Sequence, residues 1–210
     1  AEDMLNRYAL FAKNLIDALC PDYQEHLLWG RTSYRPVEIS NRKVSVLKND
    51  QLLHVDAFKS MPVKGQRILR VFTNINPEQK PRVWHIGEDF PDVLRRFEHK
   101  IKPYSSLKAA VLAFFKLTKS KRSAYDHCML ELHNHMKLDK DYQTAVKKLE
   151  FKFPAQSSWI VFTDQVSHAA LSGQYLLEQT FYLPMANMLH HETAPLSHWQ
   201  SQRPQVRNWL

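Results

Sequence analysis

The chain has 210 residues, of which 44% are hydrophobic and only four are glycine. That balance excludes low-complexity, collagen-like and largely disordered classes and leaves room for one substantial core. An excess of 29 Lys and Arg over 21 Asp and Glu gives a net charge of +8, which favours polyanionic partners such as nucleic acid, an acidic membrane surface or a phosphorylated lipid or sugar. Two cysteines, Cys20 and Cys128, exclude a disulfide scaffold.

In chain order, Leu5, Tyr8, Ala9, Phe11, Leu15 and Leu19 recur at helical spacing and predict a packing helix, which Cys20-Pro21-Asp22 stops. Residues 1–33 read as a helical extension. An extended segment is predicted over 34–48, and Lys48-Asn49-Asp50 turns it into a strand over 52–58. A second strand is predicted over 67–75, rich in β-formers and ended by Asn76-Pro77, and a shorter one over 82–86. Helical periodicity returns at 91–100, 106–117 and 123–137, inside an insertion of about residues 90–142. Strands resume at 149–153, 158–162, 168–171 and 175–183, with Gly173 supplying a tight bend, and 185–210 reads as a tail. Strands on both sides of a helical insertion predict one domain over 1–210. Its class is mainly β with helices (α+β), a double-stranded β-helix or cupin-like jelly roll.

Chemistry enters at His54 and Asp56. Side chains at i and i+2 of a strand leave one face, so this imidazole and carboxylate can converge on an ion. His168, in another strand-like segment with small neighbours, is the candidate third ligand. Two histidines and one carboxylate form the facial triad of non-haem Fe(II) oxygenases, although the same ligands also suit a cupin-like binding protein or a zinc hydrolase. His127, Glu131 and His135 share a helix face but read as surface polar residues, as do His190-His191-Glu192 in the tail. The 108–122 region, with Val111, Leu112, Phe114, Phe115 and Leu117 followed by Lys116, Lys119, Lys121 and Arg122, reads first as a core helix with a solvated basic end and second as a rest for anionic lipid. Trp199 and Trp209 in the tail are read as docking on the core, on a second chain or at a membrane.

At His54-Val55-Asp56-Ala57-Phe58, at Arg67 through Pro77, at Tyr125-Asp126-His127, at Phe162 through His168 and at Gly173 through Pro184, the chain resembles the 3-deoxy-D-manno-oct-2-ulosonic acid (Kdo) 3-hydroxylases. The resemblance implies a dioxygenase that uses Fe(II), 2-oxoglutarate and O2 to hydroxylate carbon 3 of Kdo in Kdo-lipid A, giving Ko. It further implies a lipopolysaccharide inner-core precursor as partner and a peripheral place on the anionic, cytoplasmic face of a Gram-negative inner membrane. The far carboxylate of 2-oxoglutarate needs a cation, and residues 169–183 contain no Arg or Lys. Arg70, on the strand after the His-x-Asp motif, is the expected anchor, Arg67 has the opposite parity, and Asn74 shares Arg70's face as a second cofactor-binding residue. Arg82 and Arg35, with Arg31, are expected at a basic substrate mouth. An oxygenase of the same fold acting on nucleic acid or protein is the competing reading, ranked lower because no basic-aromatic strand face for stacking bases is evident.

Overall fold

The computed structural model describes residues 2–206 and 208–210. Two antiparallel sheets face each other. The larger has the order β1 (Leu28–Arg35), β7 (Leu176–Leu183), β2 (Arg67–Asn74) and β5 (Ser158–Phe162). In the smaller, β3 (Arg82–Ile86) lies between β4 (Leu149–Phe153) and β6 (His168–Ser172). His54 extends the β6 edge through a single bridge to His168. Strands that alternate between two sheets in this way form the jelly roll anticipated above.

Strand parity assigns the layers. On β2, Leu69 and Val71 point to a cluster with Ala12 and Ile16 of α1 (Glu2–Leu19). Phe72, on the opposite face, meets Trp84, Ala170 and Leu176 between the sheets. Aromatic rings fill that interior, with Phe72 edge-on to Trp84 at 5.1 Å and Trp159 stacked on Phe153 at 3.9 Å.

The helical insertion comprises α2 (Phe90–Phe97), α3 (Ser106–Phe114), α4 (Ala124–Leu138) and α5 (Lys140–Ala145). A capping box starts α4, with the Asp126 N–H donating to Ser123 Oγ and the Ser123 N–H donating to Asp126 Oδ2. Helices α2 and α4 enclose a third cluster with Leu53, Val55 and Trp199.

Four expectations are corrected. Strand β1 overlaps the end of the 1–33 stretch read as helical extension and runs on to Arg35. Its side chains are wetted on both faces, and Gly30 interrupts it because a Cβ there would lie 2.6 Å from the Thr180 carbonyl oxygen, so neither alternation nor composition marks it as a strand. Residues 52–58 make one bridge and no regular strand, because the segment crosses between sheets: the His54 N–H donates to His168 O at 3.0 Å and the Asp56 N–H to Thr163 O at 2.7 Å. Helix α3 is not a core helix. Only Ala109 is buried on it, and Phe114 is 81% exposed. The stretch read as a tail contains a helix, α6 (Pro195–Gln202), whereas of the three readings of Trp199 and Trp209 the first holds, since both are buried on the chain's own core.

Candidate metal centre

Leu53 and Val55 are drawn into the helical cluster, which turns His54 and Asp56 the other way, into the interior between the sheets. His168, at the first position of β6, is their neighbour because the two histidine backbones bond reciprocally, at 3.0 and 2.9 Å. One ligand atom from each of His54, Asp56 and His168 lies within 4.8 Å of the others, and His54 Nε2 is 3.7 Å from Asp56 Oδ1. Among the described residues this is the one such cluster of three.

The local bonding prepares these donors. Each ring donates its Nδ1–H to the carbonyl two residues earlier, His54 to Leu52 at 2.7 Å and His168 to Val166 at 2.8 Å. A carbonyl only accepts, so the tautomer is fixed and Nε2 keeps its lone pair. Burial pushes both imidazoles down from their ordinary value, His54 further because the charges of His168 and Lys137 add to it. Neutral imidazole is the ligating form. Burial alone would push the Asp56 carboxyl up, but the Arg70 guanidinium, followed by the two imidazoles, holds it below the usual carboxylate range. Arg70 Nη2 is 3.2 Å from Asp56 Oδ2, which leaves Oδ1 facing His54. Two imidazole nitrogens and one ionised carboxylate oxygen, all buried and all on one side, suit a six-coordinate Fe(II) with positions left open.

A cavity of about 240 Å³ opens from these three groups. Arg70 and Arg82 both line it. Arg70 is ion-paired at both ends, to Asp56 and, at 3.2 Å, to Glu178 Oε1. Arg82 was expected at an exposed mouth and is instead fully buried inside. Its Nη1 donates to Gly173 O at 2.7 Å and its Nε has no partner among the described residues. Gly173, at φ +112°, makes that approach possible, since a Cβ there would lie 2.8 Å from Arg82 Cδ. Burial, then the charge of Arg35, pushes Arg82 down to about 10. Arg35 is the residue at the mouth. Its side chain is 36% exposed, it pairs with Glu178, and it also borders two outer grooves that share Arg31.

Asn74 is corrected outright. It lies away from the cavity, and its amide donates to the Lys80 and Phe153 carbonyls while its oxygen accepts the Asn76 N–H. Its task is to fix the turn after β2. Arg67 faces the opposite layer, as its parity required, and pairs with buried Asp164 at 2.7 Å.

Other cavity residues escaped the sequence reading. Trp84 stacks on His168 at 5.0 Å and 20° and leaves its buried Nε1 unpartnered. His133 donates Nδ1–H to Val55 O at 2.8 Å and places its ring 5.1 Å from that of His54. Lys137 follows one turn later on α4. The signal was faint: both sit on the face of α4 that continues from Met129 and Met136 into the core. His127, by contrast, bonds the Lys102 carbonyl, and His135 is 3.9 Å from Glu131 at the helix surface.

The family model described as 3-deoxy-D-manno-oct-2-ulosonic acid (Kdo) hydroxylase matches residues 1–202. No curated protein matches the chain. Among solved structures, the chain is 48% identical to the Kdo hydroxylase KdoO, a non-haem Fe(II) α-ketoglutarate-dependent dioxygenase, in complex with α-ketoglutarate and Fe(III). That match covers 96% of this chain and 69% of that one, with a TM-score of 0.94. The same enzyme in complex with succinate and Fe(III) matches at 47% identity, covering 99% and 70% with a TM-score of 0.95. Its cobalt(II) complex matches at 48%, covering 96% and 68% with a TM-score of 0.94.

Proposed function

Because the chain belongs to the Kdo hydroxylase family, we propose that it hydroxylates carbon 3 of Kdo within Kdo-lipid A to give Ko, at a ferrous centre held by His54, Asp56 and His168. It is a non-haem, Fe(II)- and 2-oxoglutarate-dependent dioxygenase, and its substrate is Kdo. The observation that carries the site assignment is the convergence of two neutral imidazoles and one ionised carboxylate at the head of a cation-walled cavity. Bound there, iron and 2-oxoglutarate supply the oxidative chemistry: O2 and 2-oxoglutarate are consumed, and succinate, CO2 and the hydroxylated sugar are released.

The chain's own residues do the positioning. Leu52 O and Val166 O lock the two rings in their ligating tautomers, while Arg70 occupies one oxygen of Asp56 and leaves the other for the ion. Arg82, with its guanidinium only partly satisfied, holds the far carboxylate of 2-oxoglutarate, and Arg70 lies alongside it. The apolar wall of Phe72, Trp84 and Leu176 keeps water from the reacting carbon. Arg35 and Arg31 meet the anionic substrate at the mouth.

The proposed setting is the cytoplasmic face of a Gram-negative inner membrane. No helix among the described residues is long and apolar enough to cross a membrane. Support for peripheral contact comes from α3 and the turn after it, where Leu107, Phe114, Phe115 and Leu117 are exposed beside Lys108, Lys116, Lys119 and Lys121. Lys119 also lines the outer groove that leads from Arg35 and Arg70, so the same turn borders the path to the cavity. The ligand assignment is tested by loading His168→Ala with Fe(II) and separating bound from free metal. The expected result is loss of stoichiometric iron with an unchanged fold, and full iron content would remove His168 from the centre.

A further inference from the structure

Lys137 is a buried cation without a full partner. Its side chain is 2% exposed, its Nζ donates to Leu47 O at 3.3 Å, and the nearest carboxylate oxygen, Asp50 Oδ1, is 4.0 Å away. Asp50 is itself shared, because Arg42 and Arg35 approach its other oxygen at 3.4 and 3.9 Å. Burying an ammonium on such terms is costly unless a ligand completes its shell.

The position of Lys137 says which ligand. It shares a face of α4 with His133, whose ring is 5.1 Å from His54, and it lines the same cavity as the three metal donors. Around this cavity four cations, Arg35, Arg70, Arg82 and Lys137, meet three carboxylates, Asp50, Asp56 and Glu178. Arg42, 3.4 Å from Asp50, adds a fifth cation, and since ferrous ion and doubly charged 2-oxoglutarate cancel each other, two positive charges are left over. Among the described residues Arg82 makes no ion pair, and Lys137 makes only the long 4.0 Å approach to the shared Asp50. One serves the cosubstrate, and the other matches a single further carboxylate.

We propose that Lys137 is the carboxylate subsite for the sugar, its ammonium receiving the C1 carboxylate of the 2-ulosonic acid and so setting C3, two bonds away, beside the metal centre. This rests on the reading of the substrate given above. It makes Lys137 a specificity residue that separates an acid sugar from a neutral one.

The test compares Kdo-lipid A with its C1 methyl ester on the wild-type enzyme and on Lys137→Gln and Lys137→Arg, each first checked for unchanged melting and cobalt(II) affinity. Binding is measured with the cobalt-loaded enzyme and turnover with the iron enzyme. The wild type is expected to prefer the acid over the ester by roughly tenfold or more. Lys137→Gln is expected to lose that preference through a raised KM for the acid, with the KM for 2-oxoglutarate unchanged, and Lys137→Arg to restore part of it. Retention of the preference in Lys137→Gln overturns the proposal, as does a rise confined to the 2-oxoglutarate KM, which would make Lys137 a cosubstrate anchor. If neither sugar stimulates the wild type, the substrate reading falls and takes this subsite with it.

Discussion

At the scale of single residues, the site depends on how each charge is already spent. Arg70 and Arg82 line the same cavity, but Arg70 is held between Asp56 and Glu178, whereas Arg82 donates to one backbone carbonyl and carries an unpartnered Nε. The two therefore separate on mutation. Arg82→Gln is expected to weaken 2-oxoglutarate binding by roughly 10- to 100-fold, the worth of a charge-assisted hydrogen bond, and to leave iron affinity intact. Arg70→Gln is expected to weaken iron binding as well, because Asp56 then loses the cation that keeps it ionised. Separate titrations of iron and of 2-oxoglutarate decide this, and an unchanged 2-oxoglutarate affinity in Arg82→Gln contradicts the assignment. The spacing of His54 and Asp56 suggested a shared face, but with a remote His168 the bare pattern is weak among 11 histidines, and the resemblance to a known family gave it weight; the structure brings the three groups together. Lys137 and His133 were not, because helical periodicity shows that two residues share a face without showing what that face meets. Asn74 misled for a related reason: strand parity gave the correct face, but the residue stands two positions before an Asn-Pro turn, and its amide is consumed in closing that turn.

At the scale of elements, the strands after the insertion were readable because aromatic and aliphatic residues recur there in short segments, alternating with charged ones in Leu149-Glu150-Phe151-Lys152-Phe153, and the order of strands, helices and strands pointed to two facing sheets. Strand β1 was hidden by Gly30 and by exposure on both faces, and the metal-bearing segment looked like a strand because a crossing between sheets uses the same extended backbone. Helix α3 shows where composition misjudges burial. Its apolar residues suggested a core, yet Leu107 is 77% exposed and Phe114 81%, an arrangement that natural surfaces avoid unless something covers it. Phe114→Ser combined with Phe115→Ser is expected to release the enzyme from vesicles of anionic phospholipid in a sedimentation assay while leaving its melting temperature nearly unchanged. Unaltered binding would remove α3 from the membrane contact.

At the scale of the whole molecule, a jelly roll supplies a cavity between two sheets, and α4 of the helical insertion lines it with His133 and Lys137. Trp199 and Trp209 pack the C-terminal segment into the cluster that α4, the helix carrying His133 and Lys137, also shares. The net charge of +8 suits an anionic glycolipid at an anionic surface, but charge alone did not separate this from nucleic acid. That choice came from the family match together with the site. The most direct measurement is turnover of Kdo-lipid A under 18O-labelled dioxygen with Fe(II) and 2-oxoglutarate, following sugar mass and succinate together. The expected product carries one labelled oxygen on carbon 3 of Kdo, formed in equal amount to the sugar-dependent succinate and absent in His168→Ala. Succinate formed at the same rate without the sugar and with no labelled product, or the same labelled product from His168→Ala, would contradict a hydroxylase centred on these three ligands.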